Sequence, residues 1–280
     1  ENYLGGVLAI AKNLNQFSKN ISILSMIGEN REYLKEIKKK LPKNIKVKFF
    51  LKKNSPTIVK KRFVDNISNN KVLGIYNLND DYLDHQEVKI FNNYLNKEIK
   101  KYDLVVVSDY GHGLISKSSA RLISKNSKFL ALNAQVNAFN IGYHTMKNYV
   151  NFNTLIINEK EIRHEMRDKA GKVEDLMISL AKERKVKNLI VTMGSSGSVL
   201  YNSKLKKFFS AEAYASKVVD KIGAGDTMLS LIGLCLKMRI DCDLTLLMSS
   251  LGAAQSVQSL ANKDTINKIN MLKTLENIFK

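Results

Sequence analysis

The chain reads Asp220-Lys221-Ile222-Gly223-Ala224-Gly225-Asp226-Thr227 and continues without a break as Met228-Leu229-Ser230-Leu231-Ile232-Gly233-Leu234-Cys235-Leu236. Small residues between two acids, followed by a long apolar run, predict a tight turn that leads into a buried helix. The first backbone amides of a helix have no partner within it, so such a turn is suited to holding an anion. Asp226 lies in the first turn of that helix, where an acid serves either as a cap or as a base beside a bound phosphate.

The rest of the chain alternates between strand patterns and helix patterns. Short β-branched or apolar runs predict strands at residues 21–27, 103–108, 129–132, 154–157 and 189–193. Helical patterns are found near residues 5–17, 32–41, 84–100, 116–124 and 173–184, and further helices close the chain. This order predicts an α/β fold of three layers, in which a mostly parallel sheet carries helices on both faces. Loops that follow parallel strands gather at one edge of the sheet, so the functional residues are expected there.

One region departs from this alternation. Strand-like runs at residues 47–51, 57–64 and 71–76 are parted by Asn, Ser and Pro, without helices between them. They predict a small antiparallel subregion, a β lid at about residues 45–80. No internal repeat or low-complexity linker is present, so residues 1–280 are interpreted as a single domain with this lid.

Composition narrows the class of protein. The hydrophobic content of 44% and charged content of 25% are those of an ordinary globular protein, and no apolar run approaches the roughly 20 residues that span a bilayer. The two cysteines lack the number and spacing of a disulfide framework or zinc site, so a reducing cytoplasm is expected. The net charge of +19 comes from lysines scattered along the chain, which favours a composition bias over a specific nucleic-acid site. The first residue, Glu1, is not Met, which suggests that further sequence precedes it.

Four motifs occur together in one order. They are the Gly5-Gly6 pair, Asn158-x-x-Glu161, Thr192-x-Gly194-x-x-Gly197 and the Asp220–Thr227 stretch. This set resembles the ribokinase-like (PfkB) carbohydrate kinases over nearly the entire chain, without the first strand and first lid segment that members have before the glycine pair. Residues 56–62 and 107–113 look most like the heptose-phosphate kinases of lipopolysaccharide precursor synthesis, the kinase domain of ADP-heptose synthases.

The resemblance implies an ATP-dependent phosphotransferase that acts on a hydroxyl of a sugar or sugar phosphate, with ATP and Mg²⁺ as cofactors and K⁺ in relatives that have a potassium site. It implies these roles: Asp226 as general base; Gly223, Ala224 and Gly225 as anion hole; Asn158 and Glu161 at magnesium; Thr192, Gly194 and Gly197 beside the nucleotide; Asp220 near potassium. Taken alone, each motif also has a structural interpretation. Asn158 and Glu161 suit a helix cap with a surface acid, residues 192–197 an ordinary turn, and Asp220 the closing of a turn.

The acceptor side is less constrained. The resemblance places Gly5, Gly6 and Asn13 near the sugar. Lys60 and Arg62 alternate along a lid strand, so both are expected either to hold an anionic sugar phosphate or to be solvated edge charges. Asp109 follows a predicted strand and suits either sugar hydroxyls or the capping of a turn.

Several positions depart from the pattern of the heptose-kinase relatives. Ala9 stands where Asn is common, His112 replaces a Lys between two glycines, Asn133 replaces an Asp, and Lys221 replaces a Thr. The phosphate-transfer half is thus kept while the acceptor half differs. A second hypothesis follows, in which the chain is a catalytically drifted sugar-phosphate and nucleotide-binding domain of a longer bifunctional protein with a nucleotidyltransferase. The expected partners are a small-molecule sugar substrate and a second copy that dimerises through the lid, although core packing explains the apolar residues 49–51 equally well.

Overall fold

The structure is a computed structural model that describes residues 1–65, 71–136, 140 and 144–280. Its strands are β1 (Ser22–Gly28), β2 (Lys46–Lys52), β3 (Val59–Val64), β4 (Lys71–Asn77), β5 (Val105–Asp109), β6 (Leu130–Ala134), β7 (Thr154–Asn158), β8 (Asn188–Thr192), β9 (Ser198–Asn202) and β10 (Lys207–Ala211). Its α-helices are α1 (Val7–Leu14), α2 (Leu34–Lys40), α3 (His85–Glu98), α4 (Lys117–Asn126), α5 (Glu159–Met166), α6 (Val173–Arg184), α7 (Ala224–Lys237), α8 (Cys242–Ser256) and α9 (Lys268–Ile278).

The central sheet has the strand order β10-β9-β8-β7-β6-β5. β5 to β8 are parallel, and β9 and β10 add an antiparallel edge. Successive residues of β7 enter different cores: Leu155 and Ile157 pack with α3 to α6, whereas Ile156 packs with α1, α7 and α8. Because a strand alternates its side chains between two faces, this division confirms the predicted sheet with helices on both faces.

The lid is smaller than the sequence predicts. β3 and β4 form a separate antiparallel pair with an irregularity between Phe63 and Val64. β2 does not join them, since it pairs in parallel with β1. The prediction of an antiparallel lid from residue 45 is therefore wrong for residues 46–52. The physical reason is burial, because Phe49 packs against a core shared with α1 and α2, and Phe50 meets the Phe91 ring edge-on at 5.2 Å.

α7 is the most enclosed helix that carries a predicted site residue. Its buried positions cover several sides of the helix: Thr227, Met228, Leu229, Ser230, Leu231, Ile232, Gly233 and Cys235. A Cβ at Gly233 would lie 2.9 Å from the Ala131 methyl group on β6, so the helix approaches the sheet closely there. None of the helices in the described part of the chain combines the length and apolar character that crossing a membrane requires.

Candidate functional site

The turn before α7 leaves the start of that helix without a side-chain cap among the described residues. Gly223 has a φ of 91°, and a Cβ there would clash with Asn262 Oδ1. The first helical bond runs from the amide of Thr227 to the carbonyl of Gly223 at 2.9 Å. Gly225 has no described atom within 4 Å of where its Cβ would be, so the amide end of the helix is approachable. Fixed amides that point away from a buried helix can hold a phosphate.

Asp220 holds this turn in place. Its Oδ1 accepts from the amide of Ile222 at 3.0 Å and its Oδ2 from the amide of Ala261 at 3.0 Å. Oδ1 therefore has the turn-closing role that the sequence offered as one interpretation, and Oδ2 joins the turn to the segment at Ala261. A role near potassium stays a prediction. In the described residues no group of three or more His, Cys, Asp or Glu side chains is arranged to hold a metal.

Asp226 faces away from the helix cap and towards the loop after β5. The phenol of Tyr110 donates to Asp226 Oδ1 at 2.7 Å. Burial raises the pKa of the Asp226 carboxyl, while the Tyr110 hydrogen bond and the nearby Lys60 ammonium act in the opposite direction. Among the described residues this carboxylate accepts from Tyr110 and no side chain makes a capping hydrogen bond at the start of α7. Its use as a base stays a prediction.

Tyr110 is the residue of this site that sequence reasoning missed. Its ring lies against Gly6, where a Cβ would come 3.2 Å from Cε2, and Gly6 has a φ of 55°. Burial, together with the Asp226 charge, raises the pKa of the Tyr110 phenol well above its usual value, so the phenol keeps its proton. The available signal was its position directly after Asp109 at the end of a buried parallel strand.

The lid brings positive charge to this pair. Lys60 Nζ lies 5.4 Å from the centroid of the Tyr110 ring and 5.9 Å from that of Tyr76. Burial and the neighbouring Arg62 lower the pKa of Lys60. Lys71 Nζ donates to Tyr76 Oη at 3.0 Å. Lys60 is thus partly buried beside Tyr110 and Asp226, and the binding of an acceptor by Lys60 and Arg62 stays a prediction.

Asn158 and Glu161 form a capping box at the start of α5. Asn158 Oδ1 accepts from the Glu161 amide at 2.9 Å, and Glu161 Oε2 accepts from the Asn158 amide at 2.8 Å. Glu161 is not a surface acid, since it is only 4% exposed. Its Oε1 has no hydrogen-bond partner within the described ranges, and burial raises the pKa of this carboxyl to about 7. A buried carboxylate oxygen without a hydrogen-bond partner has the chemistry that Mg²⁺ prefers, and waters and phosphate oxygens would complete such a shell.

The loop from β8 to β9 lies beside this capping box. Thr192 pairs in register with Asn158 across the sheet. Gly194 and Gly197 have φ values of 62° and 86°, and a Cβ at Gly197 would clash with the Ala211 carbonyl oxygen. A cavity of about 530 Å³ adjoins the loop, lined by Met193, Ser196, Ser198, Val199, Ser210, Ala211, Glu212 and Tyr214. The loop is therefore a tight turn, as one interpretation held, and it also borders a space of the size that small ligands occupy.

Two residues predicted for the sugar side have different surroundings. Asn13 is buried, donating to Thr227 Oγ1 at 2.9 Å and accepting from the Ile266 amide at 3.3 Å, so it joins α1 to the start of α7. Gly5 has no described atom within 4 Å of its Cβ position and remains open. Their contact with a sugar stays a prediction.

Asp109 is held inside the protein. Its Oδ2 accepts from the Tyr149 phenol at 2.7 Å and its Oδ1 from the Gly111 amide at 3.0 Å. The turn-capping interpretation is thus what the structure shows, and sugar binding by Asp109 stays a prediction. Asn133 donates to the Ile156 carbonyl at 2.7 Å, a bond that an ionised Asp could not make.

His112 is buried, and neither ring nitrogen has a partner in the described part of the chain. Burial and the Lys60 charge lower its pKa to about 4, so the ring is neutral at neutral pH.

Comparison with known proteins adds an independent observation. The family model described as "pfkB family carbohydrate kinase" matches residues 1–264. The bifunctional protein HldE of a Nitratiruptor species is 26% identical over 233 residues, which cover 82% of this chain and 48% of that protein. The chain spans about half the length of the curated relatives it matches.

Solved structures resemble the chain more closely in fold than in sequence. Phosphofructokinase-2 from Escherichia coli, in complex with substrates and products, has a TM-score of 0.75 and 14% identity, covering 97% of this chain and 87% of that one. Ribokinase from Arabidopsis thaliana, complexed with ribose and ATP, has a TM-score of 0.69 and 17% identity, covering 96% and 86%. These likenesses confirm the predicted three-layer α/β architecture, which is ribokinase-like.

Proposed function

Because the chain belongs to the pfkB family of carbohydrate kinases, we propose that it transfers the terminal phosphoryl group of ATP to a hydroxyl of a sugar phosphate, with a heptose phosphate as the favoured acceptor. One observation carries this proposal. The first turn of α7 has backbone amides without a side-chain cap among the described residues, and the half-buried carboxylate of Asp226 lies in that same turn. Phosphoryl transfer depends on positioning and fixed positive dipoles more than on covalent help, and the start of α7 offers both.

The donor side comprises the strand ends of β7 and β8. The loop at Thr192, Gly194 and Gly197 borders the nucleotide, and Asn158 and Glu161 face its phosphates. The Oε1 atom of Glu161 has no hydrogen-bond partner among the described residues and would bind a magnesium ion and its waters. When bound, Mg²⁺ supplies positive charge that neutralises the phosphate oxygens.

The transfer step takes place between α7 and the loop after β5. Asp226 accepts the proton of the attacking acceptor hydroxyl, whose oxygen bonds to the terminal phosphorus as the bond to ADP breaks. The amides of Ala224, Gly225 and Asp226 stabilise the charge that spreads over the phosphoryl oxygens in flight. Lys60 and Arg62 bind the phosphate that the acceptor already carries, and the lid strand on which they lie limits the access of water.

The chain is proposed to work with a second activity. Its curated relatives are named bifunctional proteins and are about twice as long as the matched region. We therefore expect a nucleotidyltransferase to act with this kinase in the cytoplasm, either on the same chain or on a partner. A homodimer through the lid remains part of the proposal, since Phe63, Leu73 and Ile75 on β3 and β4 are exposed.

A second candidate function is that of a domain that binds substrates but does not transfer a phosphoryl group. Asn133 and Asp109 are engaged in internal hydrogen bonds, and His112 is buried and neutral where relatives have a charged Lys. These features favour a domain that binds ATP and a sugar phosphate without transfer. An ADP-release screen over hexoses, heptoses and their phosphates separates the two candidates, because only the kinase releases ADP in an acceptor-dependent way.

Asp226→Asn tests the role of the base. Turnover is expected to fall by at least about a hundredfold, the usual contribution of a general base, while ATP binding measured by calorimetry is retained. Asp175→Asn, which changes an exposed acid on α6, is the matched control and is expected to keep wild-type turnover. Undiminished turnover in Asp226→Asn would refute the mechanism.

A further inference from the structure

The two oxygens of Asp226 have different surroundings. Oδ1 accepts the Tyr110 hydrogen bond at 2.7 Å, and no hydrogen bond to Oδ2 is present among the described residues. A short bond from a phenol to a carboxylate is charge-assisted and stronger than one between neutral groups. The carboxylate therefore has one oxygen fixed by the protein and one left for a reactant.

We propose that Tyr110 is a positioning residue for the base, whose phenol holds Oδ1 so that Oδ2 is presented, ionised, to the acceptor hydroxyl. This inference rests on the proposed function and assigns a role to a residue outside the four motifs. Tyr110 acts through Asp226 and is not itself assigned contact with the reacting atoms.

The position of the Tyr110 ring is set from three directions. The missing side chain of Gly6 lets the ring lie against the start of α1. Asn140 Nδ2 donates to the Tyr110 carbonyl at 3.0 Å and fixes the backbone of the loop. The Lys60 ammonium lies 5.4 Å from the ring centroid on the lid side. A phenol held on several sides can impose an orientation on its hydrogen-bond partner.

The charged and titratable groups around the pair are known from each neighbouring element. β3 contributes Lys60, with Arg62 beside it, and α5 contributes the more distant Glu161. The loop after β5 contributes His112, whose ring is parallel to that of Tyr110 at 6.2 Å. Burial keeps the Tyr110 phenol protonated by raising its pKa, so it acts as a donor across the working range of pH.

Tyr110→Phe tests the proposal while it keeps the ring. In the wild type, the hydrogen bond from Tyr110 lowers the pKa of Asp226. The variant lacks this bond, so the pKa of Asp226 is expected to rise and the acid limb of the kcat/KM profile to move to higher pH. An upward shift of about one pH unit is expected, since a hydrogen bond to a charged group is worth that much or more. Below the limb the variant is then about tenfold slower than the wild type, and the difference narrows on the plateau.

Tyr149→Phe is the matched control. Tyr149 is a buried tyrosine that donates to another carboxylate, Asp109, at the same 2.7 Å. It is expected to leave the acid limb in place. An unmoved limb in Tyr110→Phe, or an equal shift in both variants, overturns the proposal.

A titration that needs no turnover separates this inference from the proposed function. The ultraviolet signal of tyrosine ionisation is followed in the wild type, Tyr110→Phe and Asp226→Asn, and the difference from Tyr110→Phe isolates one phenol. Loss of the Asp226 charge is expected to lower the ionisation midpoint of that phenol, because the charge raises it in the wild type. An unchanged midpoint overturns the pairing of Tyr110 with Asp226. A wild type without kinase activity overturns the proposed function. The titration then still decides whether the Asp226 carboxylate shifts the pKa of the Tyr110 phenol.

Discussion

Glu161→Gln is expected to make the protein more stable at alkaline pH. Burial raises the pKa of Glu161 from its usual 4.5 to about 7, so the folded state holds a proton in this range that the unfolded state has released. The wild type must therefore lose stability as the pH rises through that window. Each pH unit is worth about 1.4 kcal/mol, so the total loss is about 3 kcal/mol. Gln keeps the size of the side chain and an oxygen that can accept from the Asn158 amide, but it does not titrate.

The measurement is urea unfolding of both proteins at about pH 4.5 and about pH 8, followed by circular dichroism. The difference between variant and wild type isolates Glu161, since other titrating groups are common to both. Glu159→Gln is the control, because Glu159 lies on the same helix but is more exposed and is paired with Arg163 at 2.9 Å. It is expected to retain the pH dependence of the wild type. A stability difference between Glu161→Gln and wild type that does not change with pH would refute the reasoning.

Two further predictions concern the loop between β8 and β9 and the lid. Gly197→Ala is expected to destabilise the fold by at least about 2 kcal/mol in thermal unfolding, because a left-handed backbone disfavours Ala and its Cβ would meet the Ala211 carbonyl. Gly225→Ala is the control, because Gly225 has open space around its Cβ position. A similar loss of stability in Gly225→Ala would contradict this explanation. Lys60→Ala is expected to raise KM for a phosphorylated acceptor by about tenfold or more and to affect the unphosphorylated sugar much less, since a lost contact to a charged group is worth about 1.5 kcal/mol or more. Equal effects on the two acceptors in steady-state assays would argue against phosphate binding by this lysine.

Local patterns predicted much of the fold. The runs at residues 103–108 and 154–157 are apolar on both faces, which is typical of parallel strands, and both strands were found within one or two residues of those bounds. The helix after Gly223 was equally clear, because small residues followed by an apolar run leave few alternatives. β2 was misassigned because its alternating pattern suits a lid strand as well as a strand that pairs with β1. Pairing between strands is set by long-range packing, which a local pattern does not contain.

The candidate site was predictable in its motifs but not in its contacts. Asn158 and Glu161 suggested a cap, yet the burial of Glu161 depends on the elements that cover α5. Tyr110 and Asp226 are separated by 116 residues, so only the folded chain brings the phenol to the carboxylate. The same is true of Lys60. Its alternation with apolar neighbours does not predict which way its side chain points, and only the folded chain brings its ammonium group to Tyr110.

Because α7 lies so close to the sheet at Gly233, a small tilt of the helix about that point would displace its first turn. Gly233 lies close to Ala131 of β6, and Asp226 lies seven residues earlier in α7, about 10 Å along the helix axis at 1.5 Å per residue. A tilt of only about 5° at Gly233 would move Asp226 by about 1 Å, and misplacement by that distance can slow a reaction by on the order of a hundredfold. Crowding at Gly233, deep in the interior, would thus displace Asp226, the proposed base, at the other end of the helix.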